Sequence, residues 1–316
     1  MCYRLPDVSV SDGAEGNLGR LAVMVISQQF LAHHGATVRL FKYLHPDRVD
    51  VLRDKLLCFS VPPNLNDPFE LNPPLKLFDS TESLLAAVED QFGISIQERL
   101  DLMPPSLRAF MTPDVQARIR AMARQMLPAV IDSGAPALQQ RVNDALAKAI
   151  GILCLSERQD DLLMWAHYTN AHEGFVIEFD PSSDFFNGRL SDKDEFRHLR
   201  QVKYAEVRPQ IVMNQVKDMS AYLTKSSHWS YEREWRMMLA LADATEVKVF
   251  GEKQFHLFSY PANAIRSVTL GCRMSAIKRE EILGVLSLDP DLSTVPIYQA
   301  SPDDSLFQLN ITRLVK

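Results

Sequence analysis

The chain has 316 residues, of which 46% are apolar and 23% charged, and carries a formal net charge of −6. That balance is ordinary for a globular protein and excludes extended disorder over most of the length. Lys and Arg are scattered rather than gathered in blocks, which argues against a protein that holds nucleic acid mainly through its phosphates.

The first apolar run, Leu21 to Ile26, is too short for a secretory core or a membrane span and follows Asp7, Asp12 and Glu15. A cytoplasmic protein that stays off membranes is therefore expected. Four cysteines, Cys2, Cys58, Cys154 and Cys272, stand far apart, with no Cys-x-x-Cys and no histidine at zinc spacing. Reduced thiols are expected, with neither a disulfide framework nor a structural metal.

Residues 1–37 read as an N-terminal extension, because Gly13, Gly16 and Gly19 fall among polar and acidic residues. A single domain is expected over 38–316. Val38 to Leu44 predicts a strand, His45-Pro46-Asp47 opens a short helix over Arg48 to Arg53, and Leu56 to Ser60 predicts a second strand. The turn formers from Val61 to Glu70 end it.

Between about 80 and 150 the apolar spacing is helical. It runs through Leu84, Leu85, Val88 and Phe92, then Val115, Ile119, Met122, Met126 and Val130, then Leu138, Val142, Leu146 and Ile150. These stripes predict a helical insert or lid whose apolar faces pack into a core. After it come predicted strands over Ile152 to Ser156, Gly174 to Asp180, Gln201 to Ala205, Glu234 to Leu241, Val247 to Phe250, Ile265 to Gly271 and Val295 to Gln299. Short helices are expected at Leu162 to Thr169, Asp218 to Ser227 and Ser275 to Leu286. Runs of strands broken by a few helices predict an α+β fold on a mixed, mainly antiparallel sheet. No Gly-rich phosphate loop or internal repeat is visible.

Three segments hold the residue types that chemistry needs. In a strand from Glu234, side chains alternate, so Trp235, Met237 and Leu239 share one face and Glu234, Arg236 and Met238 the other. Glu232 would lie on the acidic side, roughly 7 Å from Glu234 in extended backbone. Paired carboxylates can take different protonation states, one raised by its neighbour and one held ionised by Arg236 or Arg233. The plainer reading is a salt-bridged strand edge. Trp229, Tyr231 and Trp235 add the aromatic surface of a small-molecule pocket. The second segment is Met164 to Gly174, where Trp165 and Tyr168 share a helical face beside His167, a residue able to polarise a substrate group or simply to pack. The third is Ser60 with Asn66 and Asp67, a turn at a strand end where functional groups are often placed. Lys42 and Tyr43 point to opposite faces of the first strand, so one of the two is expected in a pocket.

Taken together, Leu40-Phe41-Lys42-Tyr43, Phe59-Ser60, Asn66-Asp67-Pro68-Phe69-Glu70, Leu153-Cys154-Leu155-Ser156, Met164-Trp165-Ala166-His167-Tyr168, Gly174-Phe175-Val176-Ile177-Glu178-Phe179, Val202-Lys203-Tyr204, Trp229, Tyr231-Glu232-Arg233-Glu234-Trp235-Arg236 and Leu270-Gly271 resemble an uncharacterised bacterial family, domain of unknown function 2971. The pieces follow the family's order over roughly 38–300, and they imply an architecture without an activity. Glu232-Arg233-Glu234 also resembles the Glu-x-Glu motif of ADP-ribosyltransferases, with Arg39 or Lys42 and Ser60 or Ser156 at the places of a basic residue and a serine. The Ser-Thr-Ser triplet of those enzymes is missing.

The second likeness implies an NAD-consuming ADP-ribosyltransferase or NAD glycohydrolase, such as a toxin or phage-defence effector. Glu234 would stabilise the oxocarbenium-like state and Glu232 would orient the acceptor or water. Tyr43, Trp165 or Tyr168 would stack on nicotinamide, and Lys42, Ser60, Asn66, Asp67, His167, Tyr231 and Arg236 complete the expected site. NAD enters as a substrate, with no metal and no permanent cofactor. Two other readings stay open: a metal-dependent nuclease built on Asp67, Glu70, Glu178, Glu232 or Glu234, and a non-enzymatic binding module.

Overall fold

A computed structural model describes residues 38–315 apart from 81, 85, 88–99, 105–107, 109 and 216–217. The predicted extension over 1–37, and Leu85, Val88 and Phe92 of the first apolar stripe, lie outside the described residues. The strands are β1 (Leu40–Leu44), β2 (Leu56–Phe59), β3 (Leu75–Lys76), β4 (Ile150–Ser156), β5 (Phe175–Phe179), β6 (Arg200–Gln201), β7 (Lys203–Ala205), β8 (Ile211–Val212), β9 (Thr224–Ser226), β10 (Glu234–Ala240), β11 (Glu246–Phe250), β12 (Lys253–Ser259), β13 (Ile265–Leu270), β14 (Ile297–Pro302) and β15 (Leu309–Arg313). The helices are α1 (Asp50–Asp54), α2 (Pro113–Ala149), α3 (Leu162–Tyr168) and α4 (Ala276–Leu288).

An eight-stranded sheet in the order β15-β14-β13-β5-β1-β4-β10-β6 forms the body, and within it only β13 and β14 run parallel. The fold is α+β on a mixed, mainly antiparallel sheet. Three-stranded β11-β12-β2 stands beside it, and β3-β8 and β7-β9 are small parallel pairs. Central β1, β4 and β5 are buried almost throughout, which is why their sequences read as near-continuous apolar runs.

Local chemistry sets the helix ends. Asp161 caps α3 by accepting from the Leu163 and Met164 amides, Thr112 caps α2 with Pro113 at its first turn, and Ser275 caps α4. Lys55 closes α1 in the left-handed region at φ 54°. No helix among the described residues is long and apolar enough to cross a membrane.

Several expectations are corrected. The second and third stripes of the insert form one 37-residue helix, α2, yet Val115, Met122 and Met126 are exposed rather than packed in a core. The C-terminal part meets the body through Gln139, Asn143 and half-buried Leu146, and Ile150 already belongs to β4. The predicted strand over Gln201 to Ala205 splits between two sheets, as β6 beside β10 and β7 beside β9. The predicted helix over Asp218 to Ser227 is a 3-10 turn, Ser220–Leu223, followed by β9. Strands β12 and β15 carry charged or polar residues at alternate positions and escaped the apolar-run criterion. Cys58, Cys154 and Cys272 are free and half-buried.

Candidate functional site

The site lies where the sheet opens between β1 and β4. These strands share a single register pair, Phe41 with Ser156, and then part. Ser60, just after β2, takes over as the partner of Ile152, with hydrogen bonds of 2.9 Å in each direction. Lys42 comes from the other face of β1 and reaches through the seam to donate to the Cys154 carbonyl at 3.1 Å. For that reason both Lys42 and Tyr43 line the cleft, although strand alternation predicted only one of them.

The cleft encloses about 280 Å³. Phe41, Tyr43, Leu65 and Met164 make its apolar wall, and Lys42, Ser60, Asn66, Tyr168, Glu232 and Glu234 are among its polar residues. Glu70 and Lys225 also reach it.

Its floor is a buried ion-pair cluster. Glu232 and Glu234 do not sit on one extended strand as expected. Glu232 ends a 3-10 turn, Ser227–Glu232, and Arg233 turns the chain in the left-handed region at φ 43° before β10 starts. What brings the two carboxylates together is Lys225 on β9, whose Nζ donates to Glu232 Oε2 at 2.6 Å and to Glu234 Oε2 at 3.0 Å. Arg236 grips Glu234 with Nε to Oε1 at 2.7 Å and Nη2 to Oε2 at 2.9 Å, and also meets Glu70. Lys225 Nζ lies 3.4 Å from Glu70. Glu70, Lys225, Glu232, Glu234 and Arg236 are all 6% exposed or less, so the carboxylates do not stand open to solvent as the sequence suggested.

Neighbours fix this cluster further. Tyr168 donates its hydroxyl to Glu232 Oε1 at 2.6 Å and accepts from Asn66 Nδ2 at 3.0 Å. The Ser156 hydroxyl donates to the Glu232 carbonyl at 2.5 Å, and the Tyr204 hydroxyl accepts from the Glu234 amide at 2.8 Å. The Trp229 ring covers Lys225 Nζ at 4.9 Å from its centroid, a cation–π contact that also keeps water away.

Burial raises the Glu234 carboxyl, against the pull of Lys225. Burial lowers the Arg236 guanidinium to about 9, which leaves it cationic at neutral pH. Burial and the Glu232 charge raise the Tyr168 hydroxyl, so it stays protonated and donating. Burial also raises the Cys154 thiol well above its ordinary range, with Glu234 adding to the effect.

The other expected residues fall as follows. Asp67 is buried at the edge of the cluster, where its carboxylate accepts from the Phe69 amide at 2.9 Å. Trp165 is fully buried behind the cleft, edge-on to Tyr43 and with Nε1 bonded to the Gln159 carbonyl at 2.8 Å, so it is not available for stacking on a ligand. His167 is exposed and does not line the cleft. Tyr231 is half-buried against the Phe41, Tyr43 and Trp165 core. Trp235 is only half-buried, donating to Glu157 at 2.8 Å, and does not anchor the interior. No described residue of the 80–149 insert is among those that line the cleft. Of the carboxylates named for a nuclease, Glu178 lies apart on β5 with Ser267, and Lys225 and Arg236 stand among the rest.

Sequence reasoning missed Lys225 altogether and named Glu70 within the Asn66 to Glu70 turn and as a nuclease ligand, but not among the residues of the NAD site. Lys225 has no motif to announce it, since Thr224-Lys225-Ser226 is three polar residues after a turn.

An α+β protein with a sheet-seam cleft over a buried lysine-carboxylate cluster is the class that these features define. Residues 164–237 match the family described as Protein of unknown function (DUF2971), so that stretch of the chain is similar to it. The matched segment runs from α3 into β10 and includes Tyr168, Lys225, Glu232, Glu234 and Arg236, whereas Lys42, Ser60, Asn66 and Glu70 lie before it. No curated protein and no solved structure matches the chain. Nothing in these comparisons supports the ADP-ribosyltransferase likeness, a bacterial source or a defence role.

Proposed function

We propose that the cleft cleaves an N-glycosidic bond, with NAD as the first substrate to test. One observation supports this reading above the rest: Glu232 reaches the cleft floor with one oxygen held by Tyr168 and the other by Lys225. Around it the carboxylates of Glu70, Glu232 and Glu234, with Asp67 at the edge, face the cations Lys225 and Arg236, with Lys42 in the same cleft. The nicotinamide ring of NAD carries a positive charge from the start, and as the bond breaks that charge moves to the ribosyl C1′, where a carboxylate beside the sugar stabilises it. Stabilisation that appears in the transition state alone is what accelerates a reaction.

The roles of the two acids are reassigned by their partners. Glu234 is occupied by Arg236, Lys225 and the Cys154 thiol, so it positions the cluster. Glu232 acts on the sugar. Tyr43, Phe41 and Met164 offer an apolar wall to a nicotinamide ring, and Lys42, Ser60 and Asn66 offer hydrogen bonds to its amide and the ribose hydroxyls. At about 280 Å³ the cleft admits the nicotinamide riboside half and leaves the rest of the dinucleotide outside. The C1′–N bond breaks with its electron pair on nicotinamide, which leaves neutral.

Incubation with NAD and quantitation of released nicotinamide tests the reading. Glu232→Gln is expected to lower release by about 10²–10³-fold while NAD still raises the melting temperature. Absence of both nicotinamide release and a melting shift in the unmodified protein would overturn it.

A further inference from the structure

The three-stranded sheet ends on β11, which pairs with β12 and with no other described strand. A strand edge bares a row of amide and carbonyl groups, and proteins commonly guard such rows with charge, proline or a covering element. Here Val247, Val249 and Phe250 are 46%, 61% and 65% exposed, so most of this five-residue strand presents apolar surface beside its bare backbone. Among the described residues no backbone hydrogen bond reaches that outer row.

Hairpin geometry decides which groups are bare. Gly251-Glu252 is a two-residue turn between β11 and β12, with Gly251 at φ 61°, and it closes on the pair Phe250 and Lys253. Such a turn makes its flanking pair hydrogen-bonded, so Lys248 and Glu246, two and four residues back, also direct their backbone groups to β12. Val247 and Val249 therefore aim their N–H and C=O groups outward. The side chains beside them carry one charge of each sign, Glu246 and Lys248. Within its own chain the Lys248 ammonium is loosely held, 3.8 Å from Asp54 and 3.9 Å from Glu246, which is long for a charged hydrogen bond.

We propose that β11 pairs antiparallel with β11 of a second copy of this chain, about a twofold axis at Val247. Charge complementarity selects both the occupant and the register. With Val247 opposite Val247 the outward amides and carbonyls of the two strands meet, Glu246 stands opposite the partner's Lys248, and Lys248 stands opposite the partner's Glu246. Moving the axis one residue either way sets Glu246 against Glu246 or Lys248 against Lys248, and like charges directly opposite destabilise a strand pair. The chosen register joins the two three-stranded sheets into one and covers the exposed valines. A five-residue strand pair is a small interface, so the dimer forms and parts with concentration. The inference is independent of the chemistry of the cleft.

Sedimentation velocity of the full chain over a concentration series tests it, with circular dichroism to confirm that each variant is folded. The intact protein is expected to shift from monomer to dimer as its concentration rises. Lys248→Glu and Glu246→Lys should each weaken the dimer by about tenfold, because each puts two like-charge pairs across the axis. The double exchange, Glu246→Lys with Lys248→Glu, should restore it. Val247→Pro removes an outward N–H at an edge position that tolerates proline, and should leave a folded monomer. A chain that stays monomeric to about 1 mM overturns the proposal. So does a dimer that folded Val247→Pro leaves intact. Single exchanges without effect, or a double exchange that fails to restore pairing, overturn the register; the charge series decides the outcome should Val247→Pro fail to fold.

Discussion

Lys225 decides whether the cleft floor exists at all. Its ammonium touches Glu70, Glu232 and Glu234 in a region where none of the four is more than 6% exposed. A buried pair adds little over an apolar isostere, but removing one partner strands the other's charge. Lys225→Met is therefore expected to cost roughly 3–5 kcal/mol, read as a lower urea midpoint at an unchanged slope. A loss below about 1 kcal/mol would place the cluster in water and the geometry in error. Sequence made part of this site legible. Lys42, Tyr43, Ser60, Asn66, Tyr168, Glu232 and Glu234 were named from it, and all line one cleft. Their reason for meeting was not legible. Alternation supplies neighbours within a strand, whereas Glu232 reaches Glu234 across a left-handed Arg233 and a lysine from another sheet. His167 and Trp165 failed for the opposite reason, because residue type says nothing about which side of a two-turn helix faces a cleft.

At the scale of elements, the position of Tyr168 depends on how α3 leaves for β5. Asn170, Ala171 and His172 all adopt positive φ, at 52°, 51° and 73°, a costly run for residues with a Cβ. It is held in place from outside: the Gly271 amide donates to the Gly174 carbonyl at 2.9 Å and the Arg273 amide to the His172 carbonyl at 3.1 Å. A Cβ on Gly271 would collide with both of those carbonyl oxygens, which are backbone and cannot swing aside. Gly271→Ala should thus destabilise by about 3 kcal/mol and, in folded protein, loosen the Tyr168 to Glu232 bond. Thermal unfolding and the chemical shift of the Tyr168 ring check the two parts. An alanine variant with an unchanged melting point would mean that this crossing is slack. The strands β1, β4 and β5 were legible because burial on both faces leaves a near-continuous apolar run, and β10 from the alternation of its side chains. By contrast α2 misled, since its stripe is periodic but Met122 and Met126 face outward. Periodicity records a helix and not what covers it.

For the molecule as a whole, the buried proton donors make alkaline pH the side on which the fold fails. Burial raises the Tyr43, Tyr168, Tyr204, Tyr222, Tyr231 and Tyr260 hydroxyls above their ordinary 10.0. For Lys225 burial pulls down from 10.5, but Glu234 and Glu232 outweigh it and the value rises. In the unfolded chain these groups release protons near their ordinary values, while the folded chain holds them. Their contribution is therefore complete below about pH 10 and drains away as the pH climbs through the raised folded values. Arg236, lowered by burial to about 9, and Arg200, also lowered by burial, run the other way, so that their contribution grows with pH, but the raised tyrosines and Lys225 outnumber them. Net stability should fall steeply above about pH 10. Tyrosinate absorbance followed together with circular dichroism decides the matter. The six tyrosines whose hydroxyls burial raises, Tyr43, Tyr168, Tyr204, Tyr222, Tyr231 and Tyr260, are expected to ionise only as the dichroism collapses. A single smooth titration near the ordinary value with the dichroism intact would mean that these hydroxyls reach water, and Tyr168 could not then stay a donor to Glu232.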